Sequence, residues 1–291
     1  MSETYDRQSD PRNTADRSTD KKRQLSEQDE LLKARMDQIA HKIAVISGKG
    51  GVGKSTVTAN LAVALAQRNY QVGVLDADIH GPCIPKMLGM RGEHITVGPP
   101  GAFPAVGPSG IRVVSMDFLL PEDGAPVIWR GPLKMAAIRQ FLSEFAWGRL
   151  DFLLVDLPPG TGDEPLSIMQ LIPEMDGTII VTIPSEASQI IVKKAATFAR
   201  ELGVPIIGMI ENMSGFICPN CGAQVDIFRK GGGTMIAREL GVPFLGSIPL
   251  DPSICEASDE GVSFMLKDPA SPAAKAFKSI VDRIEHSANK S

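Results

Sequence analysis

Short apolar runs alternate with amphipathic stretches along most of the chain. IAVISG, GVLDAD, IRVVSM, FLLVDLPPG, GTIIVTIP, IIGMIENM and FLGSIPLD are β-rich and nearly continuous in apolar residues. Strands apolar on both sides belong in a parallel sheet covered by helices on both faces. The pattern therefore predicts a single α/β domain with a doubly wound, mostly parallel sheet. Helical spacing fills the intervals, for example residues 55–67, 133–145 and 273–284. In the last of these, Phe277, Ile280, Val281 and Ile284 share one face, and acids and bases mix on the other. That balance predicts packing against the sheet, since a lipid-binding helix wants a mainly basic polar face. Residues 79–110 break the rhythm with seven glycines and six prolines. Such density predicts an irregular excursion beyond the carboxyl ends of the strands, where ligand loops of these folds lie.

Before the first strand the pattern changes. Residues 1–24 are polar and are expected to form a disordered tail. Residues 25–41 read as a lead-in helix, with Ser26 and Asp29 as a capping box and Leu31, Leu32, Arg35, Met36 and Ile39 at helical spacing. The folded body is expected over 42–287.

Composition narrows the class. A hydrophobic fraction of 43% supports a sizeable core, and a net charge of −4 gives no basic field for nucleic acid. No apolar run approaches the roughly 18–20 residues that span a bilayer, and the first residues lack an apolar signal core. The expectation is a cytoplasmic protein without stable membrane association, whose four cysteines stay reduced.

The strongest chemical signal is SGKGGVGKST at 47–56. Gly48-x4-Gly53-Lys54-Ser55, between a strand and a helix, satisfies the P-loop pattern. Gly48, Gly50, Gly51 and Gly53 let the backbone N–H groups of 48–56, Val52 and Thr56 included, crowd a polyphosphate, and the next helix adds its positive end. Lys54 is placed for the β- and γ-phosphates, and Ser55 for Mg²⁺. Asp76 and Asp78 close the second strand, and Asp156 ends FLLVD in the Walker B position. Three such carboxylates beside one P-loop suit metal binding and water activation. Prolines and glycines after Asp156 suit a switch loop. Asn212 ends a later strand with an amide that can donate and accept.

CPNCG follows at once. Cys218 and Cys221 can direct two thiolates at one metal from a tight turn shaped by Pro219 and Gly222. One pair is half a four-cysteine cage, which a two-fold dimer would complete around [4Fe–4S] or Zn²⁺. Cys83 and Cys255 read as packed side chains, and His80 as a loop cap. Trp129 and Arg130 read as surface or dimer contacts.

Lys49, just after the first loop glycine, makes the deviant P-loop pattern KGGxGKS/T. This resembles the subclass of nitrogenase iron protein and the septum-site and plasmid-partition ATPases. SGKGGVGKST, DADIHGP, WRGP, DLPPGTGD, ENMSGF-C-x-x-CG and SIPLD further resemble, in order and over about 42–265, the Mrp/ApbC-type iron–sulfur cluster carriers. The resemblance implies an ATP-sandwich homodimer with Lys49 reaching the partner's nucleotide. It implies Asp78 as the water-activating group, Asp76 and Asp156 near magnesium, and Asn212 reading adenine. It further implies slow ATP hydrolysis, a labile [4Fe–4S] cluster on Cys218 and Cys221, apo iron–sulfur proteins as recipients and a scaffold protein as donor. A positioning ATPase and a zinc-stapled, ATP-binding dimer are the alternatives. No cysteine precedes Cys83, so the extra N-terminal cluster of eukaryotic cytosolic relatives is not expected.

Overall fold

The computed structural model describes residues 11–79, 81–119, 131–218, 221, 223–227 and 231–288. His80, Trp129, Arg130, Pro219 and Gly222 lie outside them, and so do the readings of those residues given above. In chain order the elements are α1 Pro11–Met36, β1 Ile39–Ser47, α2 Lys54–Ala66, β2 Val72–Asp76, α3 Ile84–Met87, β3 Thr96–Gly98, β4 Gly101–Phe103, β5 Ala105–Val106, β6 Arg112–Ser115, α4 Gly131–Ser143, β7 Leu150–Asp156 and α5 Asp163–Leu171. They continue with β8 Gly177–Thr182, α6 Glu186–Glu201, β9 Ile206–Glu211, β10 Phe216–Ile217, β11 Gln224–Val225, α7 Gly232–Leu240, β12 Phe244–Ser247, α8 Pro252–Glu260, α9 Phe264–Lys267 and α10 Pro272–Ala288.

Eight strands form one sheet in the order β12-β9-β8-β1-β7-β2-β6-β5, parallel except for the antiparallel β5–β6 edge. The chain runs outward from β1 in one direction through β2 and β6, returns to β7, then fills the other side with β8, β9 and β12. The crevice at such a reversal lies beyond the carboxyl end of β1. All seven expected strands are present, because each is apolar on both faces. Ile43 and Val45 enter one core with Val57, Leu61, Phe277 and Ile280, whereas Ala44 and Ile46 enter the other with Ile138, Phe141 and Trp147. The excursion over 79–110 holds α3 and the small β3–β4 hairpin, so it is less irregular than its proline and glycine content predicts.

The start of the chain differs from expectation in three ways. The described part of helix α1 runs from Pro11, inside the segment expected as a disordered tail, and residues 1–10 of that segment lie outside the described residues. The Arg23–Glu27 pair at 3.0 Å supports the helix on its exposed side. Ser26 therefore lies mid-helix and caps nothing, and Asp29 pairs instead with Arg139 of α4. The helix ends at Met36 because Ile39 already pairs with Leu150, which makes β1 begin before residue 42. Buried Leu32 and Met36 fix α1 in the core that includes α4.

Helix α10 packs as its apolar face predicts. Phe277, Ile280, Val281 and Ile284 are all buried, and Arg68 of the segment after α2 pairs with Asp282 and Glu285. No helix among the described residues is long and apolar enough to cross a membrane. Phe277→Ala should cost about 3–5 kcal/mol of unfolding free energy, the usual penalty for emptying a buried aromatic site. Urea unfolding checks this, and a loss below about 1 kcal/mol would mean that the helix does not rely on this core contact.

Candidate functional site

The carboxyl ends of β1, β2, β7, β8 and β9 gather the sequence-selected polar residues into one crevice. Between β1 and α2 the glycine loop turns with Gly51 and Gly53 at φ +78 and +80, values that favour glycine. At Gly53 a Cβ would also stand 2.3 Å from the Asn212 amide nitrogen, so any side chain there displaces Asn212. Gly50 differs from these two. It is exposed at the loop crest, and a Cβ on it would meet only the Pro159 ring, at 3.9 Å. The fold by itself therefore does not require glycine at Gly50; only a ligand lying close on the loop, the role the sequence suggests for these glycines, would. Val52 is buried and Lys49 half-buried. Loop and helix N-terminus together present backbone donors and a positive dipole end to an anion.

Asp156 organises the centre of the crevice. Its carboxylate is fully buried at the end of β7. Lys54 Nζ lies 2.6 Å from its Oδ2, Ser55 Oγ donates to the same oxygen at 2.6 Å, and Thr58 Oγ1 donates to Oδ1 at 2.7 Å. Lys54 itself is 6% exposed, so each buried charge is compensated by the other. A hydroxyl, a carboxylate and an ammonium held this closely form a set that suits a hard divalent cation in place of the ammonium. Thr58 carries no motif signal of its own, although its place three residues after Ser55 puts it on the same side of the helix.

Asp76 lies beside Asp156 in register across β2 and β7 and is equally buried. Its Oδ2 accepts from Cys83 N at 3.1 Å, Ile84 N at 3.2 Å and Ser115 Oγ at 3.2 Å, and its Oδ1 from Asp78 N at 3.3 Å. The residue thus ties the start of the excursion to the sheet as well as facing the crevice. Burial pushes its carboxyl up to about 8, and the Asp156 charge adds to this against the opposing pull of Lys54. Asp78 is only half-buried, and its charge also raises Asp76.

Cys83 adjoins this cluster. Burial and then the Asp76 charge push its thiol up to about 11, which keeps it protonated and unreactive, as a packed cysteine should be. Cys255 departs from expectation. It is exposed on α8, with Sγ 3.9 Å from Asp259, because the apolar side of that short helix is taken by Ala257. Both cysteines line a cavity of about 350 Å³ together with Thr56, Asn212, Met213 and Leu250. The SIPLD segment, which has no assigned role in the sequence reading, provides one wall of this cavity. Asn212 donates from Nδ2 to the Val52 carbonyl at 2.9 Å, so its amide braces the P-loop as well as lining the cavity.

The cysteine pair sits on a separate projection. Strands β10 and β11 form a two-residue antiparallel ladder, and Cys218 N donates to Ala223 O at 2.9 Å. Cys218 is partly exposed and Cys221 exposed, and neither is in a disulfide. Cys218 borders a second cavity of about 570 Å³, which shares Pro249, Leu250 and Asp251 with the first.

Known proteins resemble this chain over most of its length. Residues 38–285 match the family described as NUBPL iron-transfer P-loop NTPase. A protein of Methanocaldococcus jannaschii named iron–sulfur cluster carrier protein is 55% identical over 265 residues, 91% of each chain. Its namesake in Saccharolobus solfataricus is 50% identical over 261 residues, 90% of this chain and 88% of that one. Among solved structures, a nucleotide-binding protein of Archaeoglobus fulgidus in complex with ADP superposes with a TM-score of 0.72 at 44% identity, covering 80% of this chain and 91% of the other. The cell division ATPase MinD of Pyrococcus furiosus, at 24% identity and a TM-score of 0.60 over 85% of this chain and 99% of its own, shares the fold. This chain belongs to the NUBPL family of iron-transfer P-loop NTPases.

Proposed function

We propose that this protein is an ATP-dependent carrier that binds a [4Fe–4S] cluster between two copies of itself and delivers it to apo-proteins. The observation that carries the reading is the junction at the end of β9. There Asn212 is bonded to the P-loop, and six residues later the chain reaches Cys218. A nucleotide site and a thiolate pair share one strand end. The names of the relatives and the ADP bound to the Archaeoglobus protein support the two halves of the reading.

In the proposed cycle, the phosphates of ATP lie along the glycine loop of 48–53, and the base enters the cavity lined by Asn212. Lys54, paired with Asp156, turns its ammonium toward the β- and γ-phosphates, which frees Asp156 Oδ2 and Ser55 Oγ for a metal shell. Magnesium, when bound there, neutralises charge on the transferred phosphoryl oxygens. Asp78 orients a water toward the γ-phosphorus and takes its proton as the bond to ADP breaks. Lys49 reaches the nucleotide of the second copy, so that the site is complete only in the dimer. Four thiolates, two from each copy, hold the cluster at the shared axis. Recipients are apo iron–sulfur proteins, and a scaffold protein is the donor.

Two measurements test this reading, and a third tests the electrostatics of the crevice. Anaerobically purified protein should hold about four iron and about four sulfide per pair of chains, and Cys218→Ala with Cys221→Ala should hold none. Zinc near one per pair with no iron uptake would instead favour a structural clamp. Lys54→Ala should lower ATP turnover by about a hundredfold or more while iron content is retained. Unchanged turnover would remove the P-loop assignment.

The third measurement follows from Asp76, which stays protonated to about pH 8 when folded but ionises from about pH 3.8 when unfolded. The unfolded chain then binds fewer protons, so stability without nucleotide or metal should fall as pH rises across that window. Thermal midpoints in a chelating buffer should show this slope, and Asp76→Asn should flatten it.

A further inference from the structure

Glu211 ends β9, is fully buried, and has no part in the cycle described above. Its partners have a particular arrangement. Oε1 accepts from the Ser214 hydroxyl and from Gly231 N, the latter at 3.2 Å, and Oε2 accepts from Gly233 N. Ser214 is where the chain leaves the sheet toward Cys218, and Gly231 is where it returns to start α7. One carboxylate oxygen therefore staples both ends of the 215–230 excursion that carries the cysteine pair. The approach is close enough that a Cβ on Gly233 would stand 2.9 Å from the Glu211 Cβ and 3.0 Å from its Oε2.

The next residues face the glycine loop. Asn212 holds the Val52 carbonyl, and a Cβ on Gly53 would meet both the Asn212 amide and the Met213 methyl. Met213 adopts φ 55, a conformation that a side-chain-bearing residue keeps only when its surroundings impose it. From 211 to 214 the chain thus alternates between two tasks, with Glu211 and Ser214 on the hairpin and Asn212 and Met213 on the P-loop. Backbone pairing continues the link. Glu211 O accepts from Ile248 N at 2.8 Å, Ser214 N donates to Ile248 O at 2.9 Å, and Gly215 O accepts from Leu250 N at 2.7 Å. Leu250 is in the wall common to both cavities.

We propose that Glu211 is the positioning residue through which nucleotide occupancy sets the geometry of the Cys218–Cys221 hairpin. When phosphate binding shifts Val52 and Gly53, Asn212 and Met213 shift with them. Glu211 passes the displacement to Ser214 and Gly231 together. Because coupling between two sites is reciprocal, whatever fixes the hairpin changes nucleotide affinity by the same factor. The inference rests on the nucleotide-site reading above but needs no bound cluster, so it can be tested with thiols alone.

The test uses the full-length, metal-free chain with and without saturating Mg-ADP. Alkylation rates of Cys218 and Cys221 by iodoacetamide are followed by peptide mass spectrometry, with occupancy measured in parallel by labelled ADP. In the wild type, nucleotide should change the rate at the pair by about fivefold or more, the lower range of ordinary coupling between sites. Glu211→Gln keeps the shape but turns one acceptor into a donor facing an N–H group. It should bring the ratio within about twofold of unity while ADP still binds. Ser214→Ala, which removes one donor without burying anything new, should give an intermediate ratio and guards against a folding defect in the first variant. A residue that only caps α7 would lower the melting temperature and leave the ratio alone. A wild-type ratio of one at full occupancy, or an undiminished ratio in both variants, would overturn the proposal. The cluster reading fails separately, on iron content.

Discussion

The buried pairing of Lys54 with Asp156 is the interaction around which the crevice is built. Neither group is exposed enough to be solvated by water, so each is tolerable only because the other is there. Ser55 and Thr58 satisfy the remaining lone pairs of Asp156 and thereby fix the first turn of α2 against β7. The glycine loop must then close the distance between β1 and that turn, which is why it is shaped by positive φ at Gly51 and Gly53. Asp76, next in register, bears the electrostatic cost of its neighbour. With Lys54 already committed to Asp156, a second buried carboxylate is held in its neutral form. The crevice thus sets a buried ion pair beside a carboxyl that burial pushes upward.

Most of this is readable from the sequence, for a definite reason. Strand ends in a parallel sheet are fixed by the apolar runs, and a residue placed at such an end by sequence is placed there in space. Asp76, Asp156 and Asn212 are all of this kind. Lys54 and Ser55 follow from the glycine loop. What is not legible depends on long-range partners. Nothing local in the sequence gives Glu211 its partners at Gly231 and Gly233, and nothing in PSICEASDE tells that Ala257 rather than Cys255 faces inward. The helix that runs from Pro11 is hidden for a different reason. A segment without an apolar stripe reads as disordered, although here it continues outward from a helix anchored by Leu32 and Met36.

The two cysteine environments separate chemistry from packing. Cys83 lies amid carboxylates, where negative charge and burial hold the proton on sulfur. Cys218 and Cys221 lie on a projecting turn, in reach of solvent. Burial thus separates Cys83 from the exposed thiols, whereas Cys218 shares its cavity with Asp251, Glu256 and Asp268.

The borders of the sheet bear on assembly. At one edge β5 is two residues long and runs against its neighbour. At the other, β12 carries a register irregularity, and Arg283 of α10 donates to the Phe244 carbonyl at 2.8 Å. Short, bulged and side-chain-blocked margins give an incoming chain no row of free backbone groups to zip onto. A chain that approaches either margin of this sheet is left to meet it through side chains and loops, contacts that can be undone without unravelling a ladder.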